Sequence, residues 1–171
     1  CLHLAWYLAS WGMLRNSFLM QKDYRIHTKA VKLICAPEWN DLWDISADKM
    51  ADVSYARRII DLSEKVRISY IEASAGVATG TLLTKILLGT VGCAPAYDRF
   101  FRHALSLTGI AAQSFTEKSI IALGKFYMSH EAEWEALRQH CSERVEYPAA
   151  KIIDMCFFEY GYQNSAGIVD E

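Results

Sequence analysis

Helix-breaking residues are scarce in this sequence: Pro occurs 3 times and Gly 9 times in 171 residues. A β-sandwich or barrel needs frequent turns, so the scarcity argues against both, and against a collagen-like or linker chain. Metal-type cysteine spacing is also missing. The 5 cysteines (Cys1, Cys35, Cys93, Cys141 and Cys156) form no CxxC or CxxH pair, which excludes a zinc ribbon or an iron–sulfur loop. Odd in number and widely spaced, they read as free thiols and predict a cytoplasmic protein. The uncharged run before Arg15 is too short to span a bilayer, no later run is longer, and no signal peptide is recognisable. Opening at Cys1 rather than Met reads as a trimmed or incomplete start. Neither sign of charge is in excess: 18 Lys and Arg face 20 Asp and Glu, for a net charge of −2. Bulk charge therefore does not hold this chain to nucleic acid, and any such role must rest on a local site. Phosphate loops, HExxH, GxSxG and EF-hand patterns are absent, as are repeats and charge blocks.

What is present is hydrophobic sequence, 52% of the chain, arranged with a helical period. Leu2, Ala5, Trp6, Leu8, Ala9, Gly12 and Met13 form one stripe, with Gly12 a candidate for close helix packing and Asn16-Ser17 a break. A second helix is expected over 26–34, ended by Pro37. Helices follow near 47–53 and 55–70, the latter with Ile59, Ile60, Leu62, Val66 and Tyr70 inward. Ala73 to Gly80 is a break, Thr81 to Leu88 a deeply buried helix, and Gly89 and Gly92 are its expected terminators. Asp98 opens a helix over 99–107 that Gly109 closes, and Ser114 or Thr116 caps the next, to about Ser129. The segment 131–144 reads as a charged helix with Trp134, Leu137 and Cys141 inward. Pro148 opens the last helix, and a frayed tail begins at Gln163. No convincing alternating strand is found. The expectation is an all-α, compact domain over 1–171, in about eight or nine helices.

One stretch points toward chemistry. Ser74-Ala75-Gly76-Val77-Ala78-Thr79-Gly80-Thr81 and Gly92-Cys93-Ala94-Pro95-Ala96-Tyr97-Asp98-Arg99-Phe100-Phe101-Arg102 bracket one apolar helix. The arrangement resembles the helix-hairpin-helix DNA glycosylase superfamily, in which a Gly-hydrophobic-Gly hairpin joins two helices and a Gly and Pro turn leads to an Asp at a helix start. Here Gly76-Val77-Ala78 stands at the hairpin, within about 66–90, and Asp98 stands at the aspartate. The second hairpin glycine is Ala78, the hairpin lysine of bifunctional members falls at Gly80, and the four-cysteine cluster of some members is missing. The resemblance thus implies DNA as partner and a monofunctional N-glycosylase at most, with no cofactor and no metal. Asp98 would act at the sugar, Gly76, Val77, Ala78, Thr79, Gly80, Lys85, Arg99 and Arg102 at the DNA backbone, and Tyr97, Trp39 and Trp43 against a flipped base.

The physics of such a site is independent of the family. Small hairpin residues and a helix N-terminus offer backbone N–H groups to a phosphate, without basic side chains. Breaking an N-glycosidic bond builds positive charge on the sugar, which a close carboxylate stabilises. Each residue also has a plainer reading. Asp98 is a good N-cap, and Gly76 a helix breaker. Lys85 can reach a phosphate, reach Asp98 or snorkel to the edge. Arg99, Arg102 and His103 can be a solvated face, and the Trp39/Trp43 pair core packing. His130, Glu133, Glu135 and His140 resemble fragments of helical metal sites but share one surface helix. Two further readings are a non-enzymatic helical interaction domain docking through its Trp-rich N-terminal helices, and a toxin or defence-type helical protein. Oligomeric state is not legible.

Overall fold

The computed structural model describes residues 1–15, 17–73, 76–141 and 145–165. The expectations for Asn16, Ser74, Ala75, the 142–144 end of the charged helix and the tail beyond 165 lie outside the described residues. Among those described, 72% are helical and none is in a strand, so the fold is all-α.

Nine α-helices are described: α1 Leu2–Ser10, α2 Thr28–Ile34, α3 Ala47–Ala51, α4 Val53–Glu72, α5 Gly80–Thr90, α6 Arg99–Thr108, α7 Glu117–Ser129, α8 Glu131–Cys141 and α9 Ala149–Gln163. Short 3₁₀ turns cover Phe18–Gln21, Tyr24–His27 and Pro37–Leu42. The starts follow from capping side chains. Asp52 accepts the N–H groups of Ser54 and Tyr55 at α4, Thr79 that of Leu82 at α5, Asp98 those of Phe100 and Phe101 at α6, and Thr116 that of Ser119 at α7. Gly109 ends α6 in the left-handed region at φ 65°.

α5 is the apolar spindle of the molecule. Ile86 and Leu87 are fully buried, and Leu82, Leu83 and Leu88 nearly so. The hydrophobic cluster around it extends from Leu4 and Leu8 of α1 to Ile153 and Phe157 of α9. Two helix pairs cross at close range because glycine stands at the crossing. A Cβ at Gly124 of α7 would lie 2.5 Å from the Ala51 backbone nitrogen of α3, and one at Gly161 of α9 would collide with the Phe100 carbonyl of α6.

Two expectations are corrected. Gly12 lies beyond α1, at φ +70°, and turns the chain rather than packing helices. Gly89 does not end α5: it lies inside the helix, where the Tyr7 ring occupies the space of a side chain, and Gly92 at φ +71° follows the end. The expected stripe of α8 is present but only half-covered: Trp134, Leu137 and Cys141 are partly buried, none of the helix's residues is fully buried, and Trp134 stacks on Tyr127.

Two measurements probe this packing. Gly161→Ala is expected to cost about 1–3 kcal/mol in urea unfolding, since backbone rather than a flexible side chain must give way. The second concerns acid. Burial pushes the His27 imidazole down from 6.5 to about 4, and its Nδ1 lies 2.6 Å from the Tyr70 hydroxyl. The unfolded chain binds this proton more readily, so the contribution is complete above about 6.5 and is lost as pH falls toward 4. Between pH 7 and 4.5 the wild type should lose on the order of 2 kcal/mol more stability than His27→Gln.

Candidate functional site

Asp98 is held by both of its carboxylate oxygens. Oδ1 accepts the Phe100 and Phe101 N–H groups at 3.1 Å each, which is the helix cap. Oδ2 receives the Lys85 ammonium at 2.9 Å. The ion pair is deeply set, with side-chain exposures of 6% for Lys85 and 13% for Asp98. Lys85 therefore does not snorkel; it runs inward from the second turn of α5 to the start of α6. Both plain capping and an ion pair are realised in the one carboxylate.

The segment leading to Asp98 is pinned from outside itself. The Asp154 carboxylate of α9 accepts the Ala96 N–H at 2.9 Å. Thr84 accepts the Tyr97 N–H at 2.9 Å, and the Thr81 hydroxyl donates to the Tyr97 carbonyl at 3.1 Å. Asp154 is itself paired with Lys151 at 3.1 Å. Burial raises its carboxyl above the ordinary range, with Lys151 and the Ala96 N–H acting in the opposite direction. Between the two lysines stands Trp11: Lys85 Nζ is 4.3 Å and Lys151 Nζ 5.1 Å from the indole ring centre.

Asp98 and Lys85 line an open groove of about 930 Å³ together with Trp11, Arg15, Thr81, Arg99 and Phe158. A second cavity, of about 520 Å³, adjoins it through Thr81 and is lined by Ala78, Thr79 and Gly80, by Tyr97 and by Arg102. The fold thus brings Lys85, Asp98 and Arg99 to one groove and Ala78, Thr79, Gly80 and Arg102 to its neighbour. Arg99 also lies 4.5 Å over the Phe100 ring.

Other candidates are placed differently. Gly76, at φ +128°, lies against the Phe18 ring, where a Cβ would meet Cδ1 at 3.1 Å, and Val77 is exposed; neither lines either of these two cavities. Tyr97 is buried, its hydroxyl 2.7 Å from Ser119 Oγ and its ring against Phe101 and Phe115. Trp39 is buried beneath Arg58 and Lys65, and Trp43 is part-exposed after the Pro37–Leu42 turn. None of these three rings stands at Asp98. The aromatic rings lining the groove are Phe100, Phe158 and Trp11, and the sequence reading gave Trp11 no role. The one local signal for it is Gly12, whose turn ends α1 and leaves Trp11 at the groove.

A lysine ammonium against a carboxylate in an accessible groove can do two things. The carboxylate can face a developing cation, and it can take the proton whose loss turns the ammonium into a nucleophilic amine. His130, Glu133, Glu135 and His140 do not gather into a metal-binding group among the described residues. No described helix is long and apolar enough to cross a membrane. Comparison with protein families, curated proteins and solved structures gives no significant match.

The pair can be tested without any ligand. Asp98→Ala leaves a buried ammonium unpaired and two amides uncapped, and is expected to cost about 3–5 kcal/mol. Lys85→Met and Asp98→Asn should couple: the double variant should be more stable than the sum of the singles by about 1 kcal/mol or more in urea unfolding.

Proposed function

We propose that the chain is a DNA-binding protein of DNA-glycosylase type, cleaving the N-glycosidic bond of a flipped nucleotide at Asp98. The observation that carries the reading is the Lys85–Asp98 pair, 2.9 Å apart in an open groove whose neighbouring cavity is lined by Ala78, Thr79 and Gly80. Its chemistry matches the demand of the reaction. As the C1′–base bond stretches, the sugar becomes cationic, and a fixed carboxylate stabilises that charge. Lys85 adds an option that the missing lysine at Gly80 had seemed to remove. With its proton passed to Asp98, the amine can attack C1′; the C1′–N bond to Lys85 forms, the bond to the base breaks, and the departing base takes up a proton; the sugar ring then opens as the C1′–O4′ bond breaks, O4′ takes the nitrogen's proton, and the C1′=N bond left is the one borohydride reduces. Trp11 offers an aromatic surface at the groove, and Arg15 and Arg99 offer positive charge there.

A second reading has its own support. Leu2 and Trp6, one turn apart on α1, are 51% and 69% exposed, which suits a protein-docking face in a non-enzymatic interaction domain.

The deciding experiment uses duplexes carrying damaged bases or an abasic site, at low salt, with and without borohydride. Asp98→Asn keeps the cap geometry and should leave binding in place while slowing base release by on the order of 100-fold. A borohydride-trapped covalent adduct that disappears in Lys85→Met assigns the amine as nucleophile, whereas base release without an adduct assigns water. Failure of the wild type to bind any of these duplexes overturns the DNA reading in favour of the docking domain.

A further inference from the structure

The five cysteines divide once the helices are placed. Cys93 is fully buried, and burial pushes its thiol up to about 12. The Cys1 thiol donates to the Thr28 hydroxyl at 3.7 Å, and Cys35 is exposed just beyond α2. Cys141 and Cys156 come together. The first ends α8, the second stands in the middle of α9, and both line one cavity of about 430 Å³ with Leu137, Ile152, Met155 and Tyr160. Both are part-exposed free thiols. A second opening, of about 280 Å³, reaches Cys156 from the α7 side past Phe126 and Trp134. The two thiols also sense each other. Burial first, and then the charge of a thiolate at Cys141, hold the Cys156 thiol above its ordinary range. α8 itself is lightly held. It has no fully buried residue, and its anchors are Trp134 stacked on Tyr127, the Tyr127 hydroxyl donating to Glu135 at 2.6 Å, and Arg138 between Glu135 and Glu146. Among the described residues no hydrogen bond or ion pair joins α8 to α9.

We propose that Cys141 and Cys156 form a dithiol modification site, which a small disulfide molecule entering the shared cavity converts to a Cys141–Cys156 disulfide that ties the end of α8 to α9. The step is thiol–disulfide exchange. Cys141 gives up its proton, and its thiolate attacks one sulfur of the small disulfide. The reagent's S–S bond breaks, and the first small thiolate leaves and takes up that proton. Cys156 then gives up its proton and attacks the Cys141 sulfur of the mixed disulfide, and the second small thiolate leaves and takes up that proton. Two protein thiols are oxidised by two electrons, and one disulfide molecule is reduced to two thiols. The order follows from the surroundings. Burial keeps Cys156 protonated, which suits the second, intramolecular attack, while Cys141 stands at the helix end. With no fully buried residue to hold it back, α8 can adjust until the two Cβ atoms reach the ~3.8 Å that a disulfide requires. None of the residues lining this cavity lines the groove at Asp98, so the site does not depend on the DNA reading.

The test exposes the whole reduced protein to bis(2-hydroxyethyl) disulfide and maps its peptides by mass. The peptides carrying Cys141 and Cys156 should be recovered joined, two hydrogens lighter than the separate pair and with no reagent on either. The exposed Cys35 should carry the reagent, which shows that the reaction ran. Cys156→Ser should stop at a mixed disulfide on Cys141, and Cys141→Ser should slow the reaction of Cys156 about tenfold. In the oxidised protein the α8 amides should exchange with deuterium about tenfold more slowly than in the reduced protein. A second measurement needs no substitution. Phenylarsine oxide, which bridges two close thiols, should protect both Cys141 and Cys156 of the wild type from alkylation. Wild type in which these two cysteines stay reduced or keep the reagent while Cys35 reacts overturns the proposal, as does a disulfide to Cys1, to Cys35 or to another molecule. Alkylation of both thiols at the same rate with and without the arsenical overturns it as well. None of these outcomes bears on duplex binding or base release, so either reading can fail alone.

Discussion

A lysine and an aspartate that would each be costly to bury alone lie together between α5 and α6, and the surrounding architecture is arranged around that pair. Breaking such a pair by removing one charge is far more costly than never having had it, so both partners constrain the residues near them. Lys85 is the only charged residue on the otherwise buried central run of α5. Its ammonium has an acceptor only because α6 begins at Asp98, and Asp98 is positioned only because the 92–98 segment is tied to α5 and α9. Cap, ion pair and turn are therefore one cooperative unit rather than three local features.

The same unit explains why two helices remote in sequence converge here. α9 contributes Asp154 to the turn and Lys151 to Trp11, while Gly161 lets its backbone close on α6 at Phe100. α1 reaches the same region because Gly89 leaves room for the Tyr7 ring against α5, and the chain then turns at Gly12 beside Trp11. Small residues at the crossings and a satisfied polar cluster in the middle fix the helix arrangement that apolar packing alone leaves adjustable.

The two cavities differ in what they offer. The groove holds an acid and a base already satisfied by each other, an arrangement suited to chemistry in which a proton moves between them. Its neighbour holds the first turn of α5 and the Glu64–Arg67 ion pair. Thr81 belongs to both and spends its hydroxyl on the Tyr97 carbonyl, so the hydrogen bond that shapes the turn also sets the distance between the two sites.

Local patterns carried the helical class, the start of α6 at Asp98, the left-handed Gly109 cap and the burial of α5, because capping chemistry and the 3.6-residue period act within a few residues. The expected roles of Gly12 and Gly89 failed for the complementary reason: a glycine can mark a turn, a helix end or a close approach, and only the neighbour opposite it says which. For Gly89 that neighbour is Tyr7, far away in the chain. The candidate site divides the same way. Asp98 and Lys85 were legible as residue types at helix positions, whereas Trp11 and Asp154 were not, since nothing local distinguishes them from core or surface residues. They enter through contacts of the chain after α1 and of α9 with α5 and the segment before α6. Short-range order is written in adjacent residues, but which charge meets which is decided only when distant helices close on one another and exclude water.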